Sequence, residues 1–179
     1  MLLLCVSCAG PQVSAPPPLE TLVLQETDLP EDTAWREAGP LVIDDPRHPL
    51  STIEGIRKAE ISDTYYIFAL ASVGRPSVGV VMNFAMRYTS AAFAEQDWEA
   101  IVGFLSQVPD AVALDPFINS DATYAAVLVG EEGTILYWSV MHQDDVLLLL
   151  VLETALKTEA SDALFLQSIQ TLEERLGIE

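Results

Sequence analysis

The sequence predicts an α+β fold: an antiparallel sheet of about five strands in the order ββ-α-βββ-α, packed with two main helices. Three observations carry this. Strand-length apolar segments come in groups joined by short polar links, as antiparallel hairpins require. Two longer segments repeat apolar residues at helical spacing: Ala94, Trp98, Ile101 and Leu105, then Phe165, Ile169, Leu172 and Leu176. The segment Val146 to Leu152 is apolar at every position, so it belongs at the sheet centre with both faces covered.

Each element follows from local chemistry. Leu19 to Gln25 reads as a short helix stopped at Asp28-Leu29-Pro30. Glu31 to Pro49 reads as loop, with prolines at 40, 46 and 49 and Trp35 anchoring it to the core. The β-branched and aromatic stretch Thr64–Ser72 is a strand. Gly74-Arg75-Pro76 turns the chain into its partner, Val78–Thr89. Ser90 is placed to cap a helix reaching about Ser106, with Glu95, Asp97 and Glu99 in its early turns. Val108 to Asp121, rich in Pro and Asp, reads as loop. Strands follow at Tyr124–Val129, Thr134–Met141 and Val146–Glu153, joined by Gly130-Glu131-Glu132-Gly133 and His142-Gln143-Asp144-Asp145. The last helix spans about Glu159–Leu176, and Gly177 is placed to end it.

With Leu22-Val23-Leu24 leading into Asp28-Leu29-Pro30, this element order resembles small extracytoplasmic domains of bacterial lipoproteins and sensor proteins. Some of these have the antiparallel sandwich of PsbP-like proteins. The resemblance is architectural and spans most of the domain. It implies a place outside the cytoplasm and carries no functional residue over.

Charge narrows the partners. The 179 residues hold 27 acidic against 8 basic side chains, a formal net charge of −19. The only adjacent basic pair is Arg57-Lys58. Such a surface repels phosphate backbones, which argues against nucleic acid, and it disfavours anionic lipid surfaces. The acidic residues are spread along the chain, as a solubilising surface requires. Half the residues are hydrophobic and 8% aromatic, a composition that folds.

The N-terminus supplies an address. Val6-Ser7-Cys8 resembles the end of a bacterial lipobox, in which a small residue precedes the cysteine that receives diacylglycerol. The resemblance implies cleavage before Cys8, the lipid-attachment residue, with residues 1–7 the remnant of a signal peptide. Two acyl chains hold a soluble domain stably at a bilayer, at about 0.8 kcal/mol per buried methylene. No Lys or Arg precedes Cys8, the apolar run is about four residues, and Cys5 stands where Leu is usual. The true start is therefore expected upstream. Cys5 is a poorer acceptor because the large Leu4 precedes it. A Cys5-x-x-Cys8 redox or metal pair is the rival, but it lies at the chain end ahead of Pro-rich sequence and no second pair completes a zinc site. Residues 8–18 then form the anchor and a polyproline-like stalk, and residues 19–179 one acidic domain.

Catalytic signatures are missing. There is no G-x-S-x-G, S-x-x-K, H-E-x-x-H, P-loop or G-x-G-x-x-G. Two histidines lie beside aspartate pairs, in Asp44-Asp45-Pro46-Arg47-His48 and His142-Gln143-Asp144-Asp145. They would ligate a divalent cation only if the two loops met; as polar turns they need no ligand. Asp115-Pro116-Phe117-Ile118-Asn119-Ser120-Asp121 offers oxygens for calcium without EF-hand spacing. Adjacent aromatics, Tyr65-Tyr66 and Tyr137-Trp138, must point to opposite faces of their strands. One of each pair is therefore free to line a groove.

The expectation is a lipid-anchored envelope protein with a non-enzymatic domain that binds an envelope protein or a small ligand. No catalytic residue, metal or cofactor is assigned. The alternatives are an extracytoplasmic hydrolase using scattered carboxylates and a purely structural envelope protein.

Overall fold

The computed structural model describes residues 15–40, 53, 55–74, 77–114, 120–130 and 133–178. Within them the chain runs β1 (Ala34–Gly39), β2 (Ile61–Ser72), β3 (Val78–Tyr88), α1 (Ala91–Leu105), β4 (Val112–Ala113), β5 (Thr123–Val129), β6 (Ile135–Gln143), β7 (Val146–Thr154) and α2 (Glu159–Leu176). All seven strands form one antiparallel sheet in the order β1-β2-β3-β7-β6-β5-β4. Two meanders thus meet at the β3–β7 pair, each followed by one helix.

β7 sits at the middle as its composition requires. Val146, Leu148, Leu150 and Leu152 enter one core with Phe165, Ile169 and Leu172 of α2. Leu147, Leu149 and Val151 enter the other with Ala94, Ile101 and Leu105 of α1. The helices therefore lie on opposite faces. Fully burying each such side chain stabilises the fold by about 1.5–3 kcal/mol, which makes β7 the best-fastened strand.

α2 begins at a capping box, with the Ser161 amide donating to Thr158 Oγ1 at 3.0 Å and the Thr158 amide to Ser161 Oγ at 2.9 Å. It ends at Gly177 with φ +74°, the left-handed conformation glycine adopts without penalty. The β6–β7 turn is tighter than the sequence suggests. His142 and Gln143 belong to β6, leaving only Asp144 and Asp145 to turn, with Asp144 at φ +51°.

Three expectations are corrected. The sheet has seven strands, not about five, because β1 and β4 lie inside segments read as loop. Both are edges: β1 reads Ala-Trp-Arg-Glu-Ala-Gly with three exposed residues, and both residues of β4 are exposed. An edge strand needs no apolar alternation, so the period-2 signal is missing. The third correction is Leu19–Gln25, which is not a helix. Leu19–Thr21 and Glu26–Asp28 are single 3-10 turns with irregular chain between. Leu22, Val23 and Leu24 are all buried; three consecutive residues span too much of a helix circumference to share one buried face.

No helix among the described residues is long and apolar enough to cross a membrane.

Candidate functional site

Among the described residues, the face carrying α2 is incompletely covered. α2 packs over β6 and β7 while the 19–28 segment lies over β2 and β3. Toward β1 and β2 a cleft of about 620 Å³ stays open. Its floor is Trp35 and Ala38 from β1 with Tyr65 and Ile67 from β2. Its wall is the irregular segment, through Glu20, Thr21, Val23, Leu24, Gln25 and Glu26.

A β-bulge makes this floor. On β1 the register pairs Trp35 with Ala69 and Ala38 with Ile67, so three steps along β1 oppose two along β2. Without the extra residue, Trp35 and Ala38 would point to opposite faces. With it, both look into the cleft beside Tyr65. Trp35 is half-buried, and its indole N–H has no acceptor among the described residues.

The wall is fixed by three polar anchors. Asn83, buried in β3, accepts from the Leu24 amide at 2.8 Å and donates to the Leu149 carbonyl at 3.0 Å. Arg175 at the end of α2 donates to the Val23 carbonyl and pairs with Asp28 at 2.7 Å. Asp28 in turn accepts from the Gln25 amide. The Gln25 side chain donates to the carbonyls of Glu20 at 2.8 Å and Val23 at 2.9 Å. Further upstream, Arg87 donates to the Pro17 carbonyl at 2.6 Å. A segment without regular structure thus has its buried backbone groups paired.

On the same face, beyond α2, a smaller cavity of about 300 Å³ is lined by Leu114, Tyr137, Lys157, Asp162, Phe165 and Leu166. The Tyr137 hydroxyl donates to Asp162 at 2.6 Å and meets Ser161 at 2.9 Å. Burial, then the Asp162 bond, pushes this phenol up to about 12, so it stays protonated. It acts as a brace between β6 and the start of α2.

The opposite face holds a buried charge. Asp97 of α1 is fully buried and takes three donors: the Arg57 amide at 2.9 Å, the Arg57 guanidinium at 2.7 Å and the Tyr88 hydroxyl at 2.9 Å. Burial, then the Asp97 charge, raises Tyr88 far above its ordinary range. From sequence Asp97 was expected only to favour the helix start; it is instead the anchor that ties α1 to β3 and to the 55–57 stretch.

His142 points to this second face, where its ring lies 4.9 Å from Trp98. Burial lowers its pKa, against the opposing pull of Glu95 and Glu99. It is therefore a packed strand residue and not part of a polar turn. Asp145 faces Arg87, 3.7 Å away. The companion motif, Asp44, Asp45 and His48, lies outside the described residues, as do Asp115 to Asn119 of the calcium candidate and both Cys5 and Cys8. Among the described residues no group of three or more His, Cys, Asp or Glu side chains is placed to hold a metal.

The aromatic pairs divide as their spacing requires. Tyr66 is buried and stacked on Phe84, with centroids 6.1 Å apart, while Tyr65 lines the cleft. Tyr137 is buried against Phe165, and Trp138 packs at the rim of the α1 core. Of the cleft residues, sequence pointed to Tyr65 through pairing and to Trp35 as a core anchor. Glu20, Gln25 and Glu26 carried no periodic signal that would have found them.

No family model matches the chain, and no curated protein matches it. Among solved structures it is similar to the extracellular domain of PknH from Mycobacterium tuberculosis, with a TM-score of 0.62 and 8% identity. The match covers 87% of this chain and 95% of that domain. At that identity the likeness is one of fold.

Proposed function

We propose that this chain is a non-enzymatic extracytoplasmic binding domain, held at the cell envelope by acyl chains on Cys8, and that its ligand enters the Trp35–Tyr65 cleft. The cleft is the observation that carries the reading. Its volume falls within the roughly 300–1,000 Å³ of small-molecule sites, and it combines an apolar and aromatic floor with a few polar groups at the wall. The bulge that turns Trp35 inward and the anchors that hold the wall prepare the shape before any ligand arrives, which lowers the ordering cost of binding. The neighbour's being an extracellular domain supports the location, and the lipobox resemblance at Val6-Ser7-Cys8 supports the anchor.

Among the described residues, the carboxylate-hydrolase alternative gains no support from geometry. Asp97, the one fully buried carboxylate among the described residues, already has three donors and lies on the face away from the cleft.

The test is an NMR screen of a mixed fragment library, together with extracts of cell envelope, against protein labelled at the indole nitrogens. Ligands are expected to move the Trp35 indole resonance while leaving those of Trp98 and Trp138, on the other face, in place. A screen in which Trp35 never responds would remove the cleft as the site. Mass and detergent partitioning of protein made with its upstream sequence tests the anchor separately. An unmodified, aqueous-phase product would remove the lipid.

A further inference from the structure

The charges around the cleft, taken as the binding site proposed above, narrow the chemistry of its occupant. We infer that the cleft receives an organic cation, an alkylammonium or quaternary ammonium group, seated against Trp35 and Tyr65 and attracted by Glu20 and Glu26.

Three observations converge. The charged residues lining the cleft are both acidic, Glu20 and Glu26, and neither has an ion-pair partner among the described residues. The nearby cation, Arg175, is already matched by Asp28 at 2.7 Å and bonded to the Val23 carbonyl. The donors of the wall are spent internally: the Gln25 side-chain amide on Glu20 and Val23, its backbone amide on Asp28, and the Leu24 amide on Asn83. An anion entering here would meet two carboxylates and find those wall donors taken, with the Trp35 indole N–H on the floor left to receive it. A cation meets two carboxylates and two aromatic residues.

The aromatic pair completes the chemistry. A ring face attracts an ammonium group through its quadrupole, most strongly for Trp, and the attraction grows as water is displaced. Trp35 and Tyr65 are both half-buried, so each offers a partly dried ring. The net charge of −19 adds a long-range field of the same sign as the two glutamates.

Calorimetry and indole NMR of the whole domain test this with (6-hydroxyhexyl)trimethylammonium, its neutral isostere 7,7-dimethyloctan-1-ol, and a capped trilysine peptide. At low salt the cation is expected to bind about tenfold more tightly than the isostere and to move Trp35. Glu20→Gln and Glu26→Gln, at exposed positions that spare the fold, are each expected to weaken it about threefold. Glu159→Gln, on the exposed start of α2, should change nothing, which separates the site from diffuse attraction to an acidic surface. Trilysine outcompeting the small cation would identify a basic peptide as the source of the ammonium group; the reverse would identify a free amine. Equal binding of cation and isostere at Trp35 would overturn the cation while leaving the cleft intact. Silence at Trp35 with every probe, and with the mixed library, would remove both.

Discussion

The two faces of the sheet are fastened by different means. The α1 face is fixed by a buried charge, Asp97, gathering Arg57 and Tyr88 around itself. The α2 face is fixed by a neutral amide, Asn83, and by a cation at the rim, Arg175, which hold an irregular segment in place. A helix covers its strip of sheet uniformly, whereas an irregular segment leaves space beside it. The cleft lies on the second face because there the covering over β1 and β2 is coil.

Removing the charge tests the first half of this contrast and should have the largest effect. Asp97→Ala strands the buried Tyr88 hydroxyl and the Arg57 amide. Breaking a buried pair costs about 3–5 kcal/mol. Arg57 is 37% exposed and its head can rehydrate, so the loss should sit near 3 kcal/mol. Urea denaturation is expected to show one cooperative transition at a lower midpoint. A change under 1 kcal/mol would mean that apolar packing alone holds α1.

Asn83→Ala probes the other face. It leaves the Leu24 amide and the Leu149 carbonyl without their partner, at about 1–3 kcal/mol for each buried group left unpaired. Here the response should be partly local. Hydrogen exchange at the Leu24 amide should accelerate more than exchange in β7, because the segment can lift while the sheet stays folded. Equal acceleration in both would show that the segment and the sheet unfold as one unit, and the distinction between the faces would fail.

Gly79→Ala asks how tightly the α2 face is packed away from the cleft. An added Cβ would meet Leu152 at 2.7 Å and Val73 at 2.9 Å, both side-chain methyls. Overpacking of this kind costs about 1–3 kcal/mol, at the lower end where a side chain can turn aside. A thermal melt lowered by a few degrees is expected. An unchanged melt would mean that this end of the face is as loosely covered as the cleft.

What the sequence disclosed tracks periodicity. Strands β2, β3, β5, β6 and β7, both helices and the Gly177 stop were legible because each buries a repeating set of side chains. β1 and β4 were not, since an edge strand with exposed residues such as Arg36 and Val112 repeats nothing. The same reason hides the cleft wall. Leu22, Val23 and Leu24 announce burial without saying in what conformation, and Glu20 and Glu26 gain meaning only from the floor that the bulge at Arg36 creates. Asp97 fails differently. A carboxylate early in a helix has an ordinary electrostatic explanation, and only the fold reveals that it faces Tyr88.

His142 gives the smallest effect and separates the faces by pH. Its ring packs on Trp98 at the α1 face, and burial lowers its pKa below the ordinary 6.5, outweighing Glu95 and Glu99. A folded state that binds its proton less readily than the unfolded chain gains stability as pH rises through that window. This contribution is fully present above about pH 6.5 and is lost as pH falls toward the lowered value. His142→Phe keeps a ring against Trp98 and removes the titration. The variant should therefore lose less stability than the native protein between pH 7 and pH 5.5, in melts at constant ionic strength. Asn83→Ala, acting on the other face, should leave that pH dependence unchanged. If instead His142→Phe steepens the acid loss, the carboxylates at 95 and 99 govern the histidine more than its burial does, and the α1 face is wetter at its rim than the Trp98 contact implies.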